Sequence, residues 1–375
     1  MYIAFLVIVV FFAITTKGLF VSSRNIGNLV NAMSYTAVLA VGMTLVIVIR
    51  HIDLSVGYLA GFLGAIAAIS LKYWHLPVGV AILLVLALGT LAGLVTAFLV
   101  AQMRIPAFVA TLAGWLLYRG LLQLATRSTG TININNNIFN ALGNGFIPDI
   151  PGIAILPGVH TVTLLLGVLA IILFIRGEIS SRQKTKAYHF EILPTNMFIL
   201  KLVFLSAVIG GITWVLAGYQ GLSWAAVVLL VVVLLYSYIT TRTVVGRHIY
   251  AVGGNPEAAQ LNGISVKKIT FLVFGSMGML TGLAGILYAS WLRSATTIAG
   301  NGMELDAIAA AFVGGVAVAG GVGRVTGSII GALVMASLTN GMNLLGWDIS
   351  IQYIVRALVL AGAVIFDVAT RKSGK

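Results

Sequence analysis

The chain has no cysteine. That excludes disulfides, thiolate nucleophiles and cysteine-bound metal sites. Charge is scarce as well. Charged residues make up 8% of the 375 positions, against about a quarter in a typical soluble domain. No Gly-x-x-x-x-Gly-Lys-Ser/Thr occurs anywhere, so the chain has no loop of the usual kind for cradling ATP phosphates. The stretch GGVAVAGGVGRVTG is rich in glycine but lacks the lysine and the spacing, and it reads as a packed turn. The five histidines are scattered without metal-ligand spacing. No nucleophile, base and acid fall together. These absences argue against an enzyme and predict neither cofactor nor metal.

What the chain has in quantity is apolar surface. Hydrophobic residues make up 60% and mean hydropathy is +1.08. No water-soluble fold buries so much, so the solvent is lipid. About twelve apolar segments approach the ~20 residues that a bilayer requires. They are Met1–Thr16, Asn31–Ile49, Val56–Leu71, Val78–Ala101, Ala107–Thr126, His160–Ile175, Phe198–Gly218, Ser223–Thr240, Ile269–Leu292, Ala307–Ala319, Val325–Leu345 and Ile351–Thr370. Val56–Leu71 and Ala307–Ala319 are short, which predicts broken or re-entrant helices covered by protein. No cleavable signal precedes the first segment, and a polar flank upstream of Met1 is expected. With the N-terminus inside, Arg104, Arg176, Arg182, Lys184, Lys186, Arg242, Arg247, Lys267, Lys268, Arg324, Arg371, Lys372 and Lys375 fall on the cytoplasmic side. Lys17, Arg24, Lys72, Arg127 and Arg293 fall outside. The net charge of +13 is therefore read mostly as topology, not as a nucleic-acid face.

The most informative polar run is Gly246–Lys268, within a cytoplasmic segment 241–268. It holds the parts of a short, capped helix. Asn255 can cap the start, Pro256 fits the first turn, Glu257 suits the positive dipole end and Gly263 can close the C-terminus. A rigid helix held outside the bilayer offers itself to a partner. Glycine numbers 43, and much of it recurs four residues apart: Gly57, Gly61 and Ala65; Gly89, Gly93 and Ala97; Gly278 and Gly282; Gly323, Gly327 and Gly331. Small residues at that spacing let helices touch backbone to backbone, predicting a compact bundle.

Polar groups inside apolar runs mark function by default. Asp53 and Ser55 can either cap the segment that follows them or line a path at a broken helix. Asn340 and Asn343 can line a pore or bond a neighbouring helix. Arg119 and Arg356 read as snorkelling side chains. Asp306 and Asp367 are the further carboxylates near span ends. The longest outside loop, Arg127–Val159, carries Asn133, Asn135, Asn136, Asn137, Asn140 and Asn144 and reads either as a solvated loop or as a docking surface. Intramembrane ionisable groups are too few for a typical ion-coupled carrier, so a separate motor is expected.

Four stretches resemble the permease subunits of bacterial sugar ABC importers of the ribose and xylose type. They are GRHIYAVGGNPEAAQLNGI, HIDLSVGYLAGFLGAIAA, RIPAFVATLAGWLLYRG and ELDAIAAAFVGGVAVAGGVGRVTGSIIGALVMASLTNGMNLL. Extra length around Arg176–Gly218 and the run QYIVRALVLAGAVIFD point to the xylose-type members. The resemblance implies an all-α polytopic membrane bundle of about 10–12 spans. Its fold would be like that of the cobalamin-importer permease, with inverted repeats in a single domain over 1–375. It also implies a homodimer in the bacterial inner membrane, a cytoplasmic ATP-binding subunit, a periplasmic sugar-binding protein, and a monosaccharide cargo with D-xylose as the expectation. It places Arg247, Asn255, Pro256, Glu257 and Gly263 at the ATPase-coupling surface. Asp53, Ser55, Asn340 and Asn343 are the candidates for the translocation path. Arg127–Val159 and Ser294–Glu304 are expected to meet the binding protein. A permease for another pentose or hexose, a branched-chain amino-acid permease and a secondary sugar carrier are the rival readings.

Overall fold

The computed structural model describes residues 2–151, 156–188 and 194–372. Its elements are α1 (Tyr2–Thr15), α2 (Ser23–Val48), α3 (Val56–Lys72), α4 (Val78–Ala101), α5 (Ala107–Thr126), β1 (Thr131–Asn133), α6 (Asn137–Asn144), α7 (Thr161–Ala187), α8 (Thr195–Ala217), α9 (Trp224–Arg242), α10 (Val244–Gly254), α11 (Pro256–Leu261), α12 (Val266–Leu292), β2 (Ser294–Thr296), α13 (Met303–Val313), α14 (Val325–Leu344) and α15 (Ile349–Lys372). Eight of these helices are long and apolar enough to cross a membrane among the described residues, and α1, α3 and α15 each contain a shorter apolar stretch. The fold is the all-α polytopic membrane bundle that the resemblance implies. Its one sheet among the described residues is the short antiparallel pair β1–β2. The side chain of Asp367 and residues 152–155 of the asparagine-rich loop lie outside the described residues, as do Met1 and Lys375, while Arg371 and Lys372 are described in backbone only.

The described residues form two compact units. The first lies within Met1–Phe20, Leu29–Gly145 and Trp224–Lys375. Its centre is α12, whose glycines let three helices share almost the same space. A Cβ on Gly89 or Gly93 of α4 would overlap the carbonyl oxygen of Gly278 or Phe274 in α12. One on Gly285 would overlap Ala60 of α3. The same device joins α13 to α14, where Gly327 and Gly331 lie on the carbonyls of Gly314 and Ala310. Lipid offers no hydrophobic drive for one helix to leave it for another. Close backbone approach, which multiplies dispersion contacts, supplies the association instead. The four-residue glycine spacing in the sequence thus corresponds to real interfaces at α3, α4, α12 and α14.

The expected short span Ala307–Ala319 is helical only as far as Val313, and Gly314–Arg324 is non-helical. Its freed backbone is covered by protein. The N–H of Gly321 donates to the carbonyl of Val48 at 2.8 Å, and that of Ala317 to Val322 at 2.8 Å.

The second unit, Val21–Asn28 and Phe146–Ser223, pairs α7 with α8. Gly167 of α7 receives the side chain of Thr213, and Lys201 meets Glu178 at 2.7 Å. Asp149 accepts the first N–H groups of α7, Thr161 at 2.9 Å and Val162 at 3.0 Å. Those backbone bonds, that of Thr161 foremost, hold its carboxyl below the usual carboxylate range.

The α4–α12 contact yields a test. Gly278→Leu is expected to replace the single detergent size-exclusion peak with aggregate, or to lower the thermal midpoint by several degrees. Overpacking of this kind costs ~1–3 kcal/mol and more when backbone must move. Gly79→Ala, with nothing within 4 Å of the added carbon, is expected to match the parent protein.

Candidate functional site

The segment after α9 folds as its residues predict. Asn255 ends α10 and starts α11. Its Oδ1 accepts the N–H of Ala258 at 3.0 Å, and Pro256 occupies the first helical position. Glu257 lies exposed in the first turn. At the far end Gly263 takes φ +80°, a conformation that a β-branched residue tolerates poorly. The N–H of Gly263 reaches the carbonyl of Gln260 at 3.0 Å, and that of Ile264 reaches Ala259 at 3.0 Å. That pair of bonds is the Schellman closure. A six-residue helix is too short to persist by propensity alone, so these caps define it. Its outer face is bare. Glu257, Gln260 and Leu261 are exposed, Leu261 at 89%. Arg247 is exposed on α10.

The inner side of this segment is clamped, and the sequence did not announce the clamp. Arg50, in the left-handed region at the end of α2 (φ +67°), donates through Nε to the carbonyl of Gly253 at 2.7 Å and through its terminal nitrogen to Gly254. It thereby caps the last carbonyls of α10. Gly253 lies directly on the carbonyl of Val48 and beside Gly321. The hydroxyl of Tyr250 donates to the carbonyl of Gly323 at 2.6 Å. Next to this contact is a cavity of about 470 Å³ lined by Tyr250, Gly323, Arg324 and Thr326. These contacts join α10, and through Asn255 α11, to the end of α2 and to the turn between α13 and α14.

The path candidates divide. Asp53, 4% exposed, accepts both the N–H of Ser55 at 2.9 Å and its hydroxyl at 2.6 Å. The two residues thus bond each other at the head of α3, five residues along the chain from the end of α2. Asn340 and Asn343 lie on the last turns of α14. Asn343 accepts from Gln352 Nε2 of α15 at 2.8 Å, a bond to a neighbouring helix. Arg356 is not a snorkelling side chain, because it pairs with Asp306 of α13 at 3.4 Å. Partial burial makes pairing more favourable than leaving either charge alone.

The segment Ser294–Glu304, expected to meet a binding protein, packs in part onto β1 and α3. Its first residues pair with β1. Then Ala299 and Gly300 pack on Gly61 and Gly57 of α3, which brings Glu304 to a buried position at 6% exposure. Its Oε1 accepts from Trp115 Nε1 at 3.0 Å. In the asparagine-rich loop, Asn140 donates to the carbonyl of Ile134 at 2.7 Å, and Asn144 donates to the carbonyls of Ser290 and Trp291 at the end of α12. Asn133, Asn135 and Asn137 remain exposed. That part of the loop is stapled to α12, whereas a freely solvated loop would leave Asn140 and Asn144 to water.

Comparison with known proteins places these features in context. A family model described as "Branched-chain amino acid transport system / permease component" matches residues 150–364. The xylose transport system permease protein of Haemophilus influenzae is 38% identical over 372 residues, covering 99% of this chain and 96% of its own. The xylose transport system permease protein of Escherichia coli K12 is 36% identical, covering 98% and 91%. The ribose import permease protein of the same strain is 36% identical, covering 93% and 87%. No solved structure matches the chain.

The caps of α11 make their own prediction. Asn255→Ala removes the N-cap bond, which is worth ~0.5–2 kcal/mol. Amide hydrogen exchange in Ala258–Leu261 is expected to accelerate by about tenfold, while exchange in α12 stays unchanged. Equal exchange in the variant and the parent would mean that the clamp on α10, not the cap, holds α11.

Proposed function

From the premise that this chain belongs to the family described as branched-chain amino acid transport system permease components, we propose that it is the permease subunit of an ATP-driven importer moving a monosaccharide, D-xylose, across the bacterial inner membrane. The observation that carries the cargo is full-length similarity at 38% identity to a xylose permease. The ribose permease follows at 36%. Hydrolysis of ATP belongs to a separate cytoplasmic subunit, since the chain carries no phosphate-binding loop. The chain works as a homodimer and receives sugar from a periplasmic binding protein.

The exposed face of α11 supports a docking role for Asn255–Gly263. A helix capped at both ends moves as a unit, so force applied at Glu257 and Leu261 reaches α10 with little loss. From there, Arg50 and the Gly253–Val48 contact carry it to the α2–α3 turn holding Asp53 and Ser55. Tyr250 carries it to the α13–α14 turn. The bundle then changes between outward and inward openings as helices shift between two packed arrangements. Asp53 and Ser55 act here by keeping the head of α3 rigid next to the path. Asn340 and Asn343 act at the outer end of α14.

A branched-chain amino-acid cargo is the second reading, favoured by the description of the family itself. Proteoliposomes separate the two. With the ATPase and the loaded binding protein, uptake of D-xylose and none of L-leucine is expected. The chain alone, under a proton or sodium gradient, is expected to take up neither, and uptake there would establish a secondary carrier.

Glu257→Lys and Leu261→Asp change exposed side chains only, so the bundle stays folded. Each is expected to lower ATP-driven uptake about tenfold or more, the scale of a docking hot spot, while basal ATP hydrolysis continues. Normal uptake in both variants would remove α11 from the motor interface.

A further inference from the structure

Outside the coupling segment, one group of side chains has the chemistry of a ligand site and no assigned task. It joins Tyr58 of α3, Trp115 and Arg119 of α5, Asn301 and Glu304. Tyr58 and Trp115 meet edge to face with centroids 4.9 Å apart. The guanidinium of Arg119 lies 5.7 Å from one ring and 5.4 Å from the other. The hydroxyl of Tyr58 donates to Asn301 Oδ1 at 3.2 Å. Trp115 holds one oxygen of the Glu304 carboxylate, and the other, Oε2, is buried with no hydrogen-bond partner.

That unpartnered oxygen carries the argument. Buried polar atoms in folded proteins are almost always satisfied, and an exception asks for a reason. Oε2 lies against Gly57, where any side chain would overlap it, so the bare backbone at position 57 makes room for the carboxylate. Glu304 and Tyr58 are buried, Trp115 is partly covered, and Arg119 and Asn301 are exposed. The group therefore runs from the interior, at Glu304 and Tyr58, to the surface of the chain, at Arg119 and Asn301.

We infer that Tyr58, Trp115, Arg119, Asn301 and Glu304 form a station that binds the cargo by its hydroxyl groups. A polyhydroxylated ring meets each component. Its hydroxyls donate to the carboxylate and the amide oxygen and accept from the guanidinium, while its C–H face lies on an aromatic ring. Oε2 gains the donor that it lacks by a small rotation of the Glu304 side chain away from Gly57. Binding at this point is brief, because a transport path needs contacts that hold orientation without trapping the cargo. This inference rests on the monosaccharide reading.

The test uses the complete transporter, with its ATPase and loaded binding protein, in proteoliposomes. Glu304→Gln, Trp115→Phe and Asn301→Ala are compared with Gly79→Ala. Uptake is measured for D-xylose and for its monodeoxy analogues, alongside stimulation of ATP hydrolysis by the loaded binding protein. Glu304→Gln is expected to lower D-xylose uptake by about tenfold or more, since a bond to a charged acceptor is lost. Stimulation of hydrolysis is expected to persist. For the analogue lacking the hydroxyl that Glu304 reads, the variant is expected to add little further loss, because the two deletions remove one interaction. Trp115→Phe keeps an aromatic face but removes the indole donor to Glu304, and it is expected to lower uptake of D-xylose and of every analogue alike. Equal losses for every analogue in Glu304→Gln, or wild-type uptake in both Glu304→Gln and Asn301→Ala, would overturn the station while leaving the cargo reading intact. If the parent protein takes up L-leucine and no sugar, the cargo reading fails, and the station as a reader of hydroxyls fails with it.

Discussion

Backbone lying on backbone at α12 is the constraint on which the rest depends. Where Gly89 and Gly93 face Gly278, no side chain separates the helices. The crossing is therefore set by the two main chains, and nothing there can relax by choosing another rotamer. With α4 fixed on one side of α12 and α3 on another, the head of α3 has a determined position. So do the segments that pack on it, including residues 299–304. Polar side chains at that depth keep useful geometry because the glycines hold their carriers in place.

The same economy of side chains appears on the face that meets α10. Gly253, Gly320 and Gly321 crowd around Val48 and Arg50, so α10, the end of α2 and the α13–α14 turn form one contact region. Arg50 adds charge-assisted bonds to the last carbonyls of α10. Beyond them, α11 presents Glu257, Gln260 and Leu261 outward. One face of α11 is thus exposed, while α10 behind it is held by Arg50 and by the Gly253–Val48 contact.

Ionisable groups within the bundle are few, and the carboxylates of Asp53, Asp306 and Glu304 each have a defined setting. Asp53 spends one oxygen on Ser55. Asp306 is matched by Arg356. Glu304 is matched by the indole of Trp115 on one oxygen only. A low-dielectric surrounding makes any unmatched group costly, and the Asp306–Arg356 pair joins α13 to α15.

The sequence by itself determined the solvent, the absence of an ATP-phosphate loop and the caps of α11. Each of these depends on composition or on residues a few positions apart. Asn255, Pro256 and Gly263 all lie within one turn of the helix they delimit, so the caps were legible. The glycine spacing announced close packing but not which helix met which. Arg50 reaches Gly253 across 203 residues, and Trp115 reaches Glu304 across 189. Arg356 looked like an interfacial cation until α15 was placed against α13. Glu304 looked like the end of an outer loop until Gly57 and Gly61 drew its segment onto α3. Such contacts depend on the register between helices. Register follows from the packing of whole faces, and no local pattern encodes it.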